Sequence, residues 1–193
     1  MGSIYKAVIV ENRTKLATDA IARHMPYLQG WDCKWVNNPS ITSGEDYNRL
    51  LTTPSFWEQF IHHDKVLIFQ HDSGILRKGI EYFLEWDYVG APWKVNAPWA
   101  RPDRAGGNGG FSLRCPKKSL DLCSKFPYSG RYGNEDVYFT HHLEKVGGKV
   151  APYKVCKKFS VETEYQTGTF GYHAIDKHLT PKQCDEILND IKI

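Results

Sequence analysis

No apolar run in the 193 residues approaches the roughly 20 needed to cross a bilayer, so a helical membrane span is excluded. The opening MGSIYK carries neither a signal-peptide apolar core nor the Ser or Thr that a myristoylation motif needs at its sixth position, and a soluble chain is expected. Five cysteines (Cys33, Cys115, Cys123, Cys156, Cys184) form an odd set without a C-x-x-C, which argues against a disulfide framework or a thiolate metal site. A reducing cytoplasm is the expected compartment. Charge of one sign is also lacking: the net +3 is mild and Lys and Arg are scattered among acids, a poor match to a nucleic-acid backbone. There is no P-loop, no G-x-G-x-x-G entering a helix, no H-E-x-x-H and no G-x-S-x-G elbow. Serine-based acyl transfer and helix-borne zinc proteolysis therefore have no footing.

What is present is globular, with 41% hydrophobic and 24% charged residues. YKAVIV (5–10) reads as a buried strand that ends in Glu11, Asn12 and Arg13, and helical spacing from Thr14 to Leu28 follows, loosened at Pro26. WDCKWV reads as a second strand, Ser43 with Asp46 and Thr53-Pro54 open short helices, and KVLIF (65–69) is an apolar run of strand length. A helix near 79–84, a strand at DYVGAPW, a strand at GFSLR and a helix over 116–123 complete the middle. Between the two strands, 92–107 carries three prolines and reads as a long loop. Asn134 is the N-cap candidate for a helix through Leu143, and Thr180-Pro181 with Gln183 opens a last one presenting Cys184, Ile187, Leu188 and Ile191 on one face. The order describes one α/β domain over residues 1–193, with a central mixed, mostly parallel sheet flanked by helices.

Four stretches carry chemistry. Gln70, His71 and Asp72 end the apolar KVLIF strand, where open α/β sheets place ligands. Asp72 can hold a hard cation there, or simply bond the turn at Ser73-Gly74. In GGNGGFSLR, Gly109 and Gly110 let backbone amides approach a ligand, or belong to an ordinary glycine-rich hairpin loop. Glu135 and Asp136 open a helix, where the macrodipole favours acids in any protein and where one of them can also act as a general base. His173 can give a nitrogen to the same metal as Asp72 or sit as a satisfied core histidine, and Lys177 can meet a phosphate. Trp93, Trp99, Tyr132 and Tyr172 are aromatic candidates for stacking on sugars or for filling the core.

VIVENR, LIFQHDS, DYVGAPW, GNGGFSLR, GNED and FGYH, in this order, resemble the GT-A glycosyltransferases, and among them small glycosyltransferase-like domains of bacteria and large viruses. The resemblance spans nearly the whole chain. It implies a GT-A-like fold in which the nucleotide lies over the end of the first strand, making Glu11, Asn12 and Arg13 donor contacts with Gln70, His71, Asp72, Gly109, Gly110 and Lys177. It also implies Asp72 and His173 as ligands of Mn2+ or Mg2+, and Asp136 beside Glu135 as the catalytic acids. Gln70 departs from the family, standing where the first acid of an Asp-x-Asp belongs. The implied reaction is inverting transfer of a sugar from a UDP- or GDP-linked donor to a hydroxyl of a glycan or other acceptor. Two other readings remain open: a nucleotide-sugar-binding module without turnover, and a small metal-dependent phosphate-ester hydrolase using His62, His63 and Asp72.

Overall fold

β-branched and aromatic residues dominate YKAVIV and KVLIF, and these two stretches become the central parallel strands of the molecule. The computed structural model describes residues 4–94, 96–100, 107–131 and 133–191. β1 (Tyr5–Val10) runs parallel to β2 (Asp32–Val36) on one side and to β3 (Lys65–Phe69) on the other. Beyond β3 the direction reverses: β6 (Gly107–Arg114) lies antiparallel to β3, and β5 (Tyr88–Pro92) antiparallel to β6. The sheet order is thus β2-β1-β3-β6-β5. A smaller sheet is made of β4 (Ser73–Ile75), β8 (Gly171–His173) and β7 (Ser160–Val161), in the order β4-β8-β7.

Alternation along the central strands sends side chains to both faces, and both are covered. Ala7, Ile9, Leu67, Phe69 and Phe111 pack with Ala17 and Ala20 of α1 (Thr14–His24) and Phe159 of α6 (Tyr153–Phe159). Val8, Val10, Val66, Ile68 and Tyr88 pack instead with Leu51 of α2 (Gly44–Leu51), Phe56 and Trp57 of α3 (Pro54–Glu58), Leu122 of α4 (Pro116–Lys125) and Tyr138 and Phe139 of α5 (Glu135–His142). Both faces buried explains why KVLIF shows no alternation of polarity: all five residues are buried.

Local signals set most boundaries. α2 and the last helix, α8 (Pro181–Leu188), each begin with the reciprocal capping box read from Ser43/Asp46 and Thr180/Gln183. The helix expected near 79–84 is a 3₁₀ turn at Ile80–Phe83. α8 ends at Leu188, leaving Leu188 and Ile191 exposed while Ile187 alone of the expected face is buried. A short helix, α7 (Ile175–His178), precedes it.

One irregularity shapes the site. β5 and β6 pair regularly up to Gly90 opposite Ser112, and then Ala91 faces Asn108, so residues 109–111 of β6 are extra against β5. Gly109 and Gly110 therefore lie in a bulged strand rather than a loop. The bulge presses Gly90 so close to the opposing backbone that a Cβ there would lie 2.1 Å from the carbonyl oxygen of Asn108.

Candidate active site

Because β6 is antiparallel to β1 and β3, its amino end meets their carboxyl ends on one edge of the sheet, and Gln70 donates its N–H to the carbonyl of Gly110 at 2.9 Å. A cleft of about 480 Å³ opens there. Its walls include Glu11 to Arg13, Gln70 and His71, Asn108 to Gly110, Asn134 to Asp136, and His173. Stretches up to 163 residues apart in sequence thus converge, which is where sheets of this kind bind ligands.

At one side of the cleft, α5 begins with two buried acids whose surroundings give them different tasks. Glu135 is gripped by Arg114, whose Nη1 and Nη2 donate to its two oxygens at 2.6 and 2.9 Å. Arg114 is itself fully buried and lies 4.9 Å from the ring centroids of both Tyr88 and Phe139. Glu135 is thereby the counter-ion of a buried cation. Asp136 has no cation of its own: its oxygens accept N–H bonds from Val137 at 2.7 Å and Gly109 at 3.2 Å. Burial, followed by the charge of Glu135, pushes the Asp136 carboxyl up to about 7. The bulge makes this arrangement possible, since a Cβ on Gly109 would sit 2.0 Å from Oε1 of Glu135.

At the other side, β3 ends in the turn that carries Asp72. Arg23 of α1 ties that turn down, donating to the carbonyls of Ser73 at 2.9 Å and His71 at 2.6 Å. Asp72 and His173 meet, with Oδ1 of the acid 3.3 Å from Nε2 of the imidazole. Lys177 donates to Oδ2 of Asp72 at 2.6 Å, Gln70 Oε1 lies 3.0 Å from the same Nε2, and Glu162 reaches the other ring nitrogen at 3.1 Å. Burial opposes the charge of Asp72, but His173 and Lys177 outweigh it and hold the carboxyl well below its ordinary range. Burial likewise opposes the imidazolium, but Asp72 and Glu162 raise His173 to about 9.

The donor set suits a divalent ion. Ligands at about 2.1 Å around an octahedral ion stand about 3 Å apart, close to the separations of Nε2 from Oδ1 and from Oε1. Oδ1 of Asp72 is buried without a hydrogen-bond partner, and a Cβ on Gly110 would lie 2.2 Å from Nε2 of His173, so the glycine makes room for the imidazole beside that acid. Among the described residues no group of three or more His, Cys, Asp or Glu is placed to hold a metal. Asp72, His173 and the Gln70 amide oxygen would leave the remaining positions to ligand oxygens, as Mg2+ commonly accepts, and the ion would displace the proton on Nε2.

The first-strand residues line the cleft but are already engaged. Arg13 forks onto Glu11 at 2.8 and 2.7 Å, and His71 Nδ1 stands 3.1 Å from Glu11 Oε2. Asn12 braces the segment before α2, donating to Ile41 O at 2.6 Å and accepting from Asn38 N at 3.1 Å. Arg13, mostly exposed, would have to leave Glu11 to meet a ligand. Trp93 is buried, Trp99 is half exposed with its carbonyl 2.9 Å from His141 Nε2, and Tyr132 lies outside the described residues. Tyr172 covers Gly74 closely enough that a Cβ there would meet its ring at 2.5 Å. His62 and His63 precede β3 whereas Asp72 follows it, so a five-residue strand, about 16 Å long, separates the groups of the hydrolase reading.

Arg114, Glu162, Arg23 and Asn108 were not singled out from the sequence. Arg114 had a faint signal, a lone cation ending the buried FSLR strand. Glu162 had none beyond following two residues of strand, yet it is buried, and its Oε1 accepts from Asn108 Nδ2 at 2.6 Å.

A mixed sheet covered by helices on both faces, with an acid-bearing turn at the end of β3 and a late histidine beside it, is a GT-A-like fold. The chain belongs to the family described as "Protein of unknown function (DUF5672)", whose model matches residues 30–173. Among solved structures it is similar to a glycosyltransferase involved in the glycosylation of the major capsid of PBCV-1, with 14% identity and a TM-score of 0.53 over 88% of this chain and 94% of that one. It is also similar to A197 from STIV, at 14% identity and a TM-score of 0.43 over 75% of this chain and 78% of that one. No curated protein matches it. No helix among the described residues is long and apolar enough to cross a membrane.

Proposed function

We propose that this chain transfers a sugar from a UDP- or GDP-linked donor to a hydroxyl of a glycan or other acceptor, with inversion at the anomeric carbon and with help from Mn2+ or Mg2+. The observation that carries the reading is Asp136: a buried carboxyl raised to about 7 on the wall of a cleft that Gln70 and His173 also line, with Asp72 paired to that histidine and Lys177 to Asp72 behind the lining. A general base is most useful when its pKa lies near the working pH.

In the reaction, Asp136 takes the proton of the acceptor hydroxyl. The acceptor oxygen bonds to the anomeric carbon as the bond from that carbon to the diphosphate oxygen breaks, and its electron pair leaves on the diphosphate. Lys177, more than half exposed and paired with Asp72, and Arg13, exposed and paired with Glu11, are the cations that would meet that charge. Asp72, His173 and Gln70 would hold a divalent ion, which when bound supplies Lewis-acid stabilisation of the departing diphosphate. All five cysteines are free thiols, which suits a reducing cytoplasm.

The test is release of UDP or GDP from a panel of nucleotide sugars with acceptor hydroxyls, in Mn2+, in Mg2+ and in EDTA. Turnover supports transfer. Binding without release, in every condition, would leave the binding-module reading that Gln70 favours by adding no charge to the cation site. Asp72→Ala should abolish metal-dependent donor binding, and unchanged calorimetric affinity in Mn2+ would defeat its assignment.

A further inference from the structure

His173 has two ring nitrogens and its ligand chemistry depends on which one is aimed at the cleft. Nδ1 faces Glu162 Oε2 at 3.1 Å, while Nε2 faces Asp72 Oδ1 at 3.3 Å and Gln70 Oε1 at 3.0 Å. Glu162 is almost fully buried, at 3% exposure, and is fixed from its other oxygen by Asn108 at 2.6 Å, with His178 Nε2 at 3.6 Å. Asn108 in turn accepts from the N–H of Gly110 at 3.0 Å, and Gly110 is the residue whose missing Cβ leaves room for the His173 ring. A buried acid costs free energy unless it is paired, so Glu162 needs a partner; its Oε2 makes no hydrogen bond of full geometry, and His173 is what it faces.

We infer that Glu162 is a positioning residue for cation binding: by engaging Nδ1 of His173 it aims Nε2, together with Asp72 Oδ1 and Gln70 Oε1, at one divalent ion. The inference rests on the cation-assisted reading above. An acid on the far nitrogen of a ligating histidine fixes its tautomer and orientation, and removing it commonly weakens metal binding 10- to 100-fold. Gln70 then has a task that its place in the sequence did not suggest. Its amide oxygen gives the ion a neutral third donor, which sets a modest affinity and leaves room for diphosphate oxygens.

The experiment is a titration with Mn2+, followed by the EPR signal of the free ion, in the presence of UDP and separately of GDP. Wild type, Glu162→Gln and Glu162→Asp are compared as full chains after melting curves establish that each is folded. The expected result is a Mn2+ dissociation constant about 10- to 100-fold weaker in Glu162→Gln and weaker than wild type in Glu162→Asp, where the carboxylate is withdrawn by one methylene. Paramagnetic broadening of the His173 ring nitrogens should be strong in wild type and reduced in both variants, a signature that a merely structural acid would not control. Equal Mn2+ affinity in wild type and a folded variant overturns the inference; should Glu162→Gln fail to fold, Glu162→Asp decides. Wild type that takes up no Mn2+ with either nucleotide also overturns it, whereas the transferase reading is judged separately by nucleotide release in EDTA.

Discussion

Replacing Asp136 by Asn should make the protein more stable and nearly inactive at once. In the native chain the carboxyl titrates at about 7 instead of the ordinary 3.8 because burial and Glu135 penalise its charge. A native pKa above the unfolded one means that the protonated form favours folding, so stability is present below about pH 4 and is lost as the pH rises to about 7. The loss is about 1.4 kcal/mol per pH step, or up to about 4 kcal/mol in all. An amide never ionises and escapes this loss. It does sacrifice one acceptor, since a single oxygen cannot serve both the Val137 and the Gly109 N–H groups, at about 1 kcal/mol. The net gain at pH 8 is up to about 3 kcal/mol, roughly 6–12 °C in melting temperature for a chain of this size.

Melting curves of both proteins at pH 5 and pH 8 read this directly. The variant should gain on wild type between the two, because wild type loses stability as the pH rises to the value of about 7 where Asp136 ionises, roughly 2 to 3 kcal/mol by pH 8, that the amide keeps. Turnover at pH 8 should fall by about 10² or more while the donor still binds, because only the base is removed. In wild type the rate should rise with pH through about 7, as Asp136 ionises. A variant that is less stable than wild type at pH 8 would show that the carboxylate is not held against its charge, and a variant that loses donor affinity would remove Asp136 from the role of base.

Other outcomes follow from the same geometry. Arg114→Leu strands the Glu135 charge in the core and should cost about 3–5 kcal/mol of unfolding free energy in urea; a loss below about 1 kcal/mol would mean the pair is not what holds this wall. Gly110→Ala drives a methyl to within 2.2 Å of His173 Nε2, so calorimetric affinity for a nucleotide sugar in Mn2+ should drop, and an unaltered value would separate the imidazole from the donor site. Lys177→Met removes a half-exposed cation and should change stability by less than about 1 kcal/mol while weakening UDP and GDP binding about tenfold; equal binding counts against its phosphate role. The double variant His62→Ala, His63→Ala acts at the far end of β3, and a fall in turnover beyond tenfold would revive the hydrolase reading.

What the sequence disclosed was what neighbours along the chain control. The apolar run 65–69, the capping boxes at Ser43 and Thr180 and the acids at 135–136 each follow from propensity or a short spacing. The reversal of β6 was not readable, because a strand's direction depends on its crossover, and the stretch before β6 has no periodicity to report it. The division of labour between the two acids was equally hidden. Nothing in the residues at 135–136 says that one is neutralised by Arg114 and the other is not, since Arg114 lies 21 positions away and reaches Glu135 only once the bulge at Gly109 and Gly110 has let α5 close on β6. The glycines were legible as permissive backbone, and the structure gives their lack of side chains a second meaning. One makes room for Glu135 and the other for His173, so of two adjacent positions on one strand a methyl at the first would strike the counter-ion of Arg114 and a methyl at the second the imidazole of the cation corner.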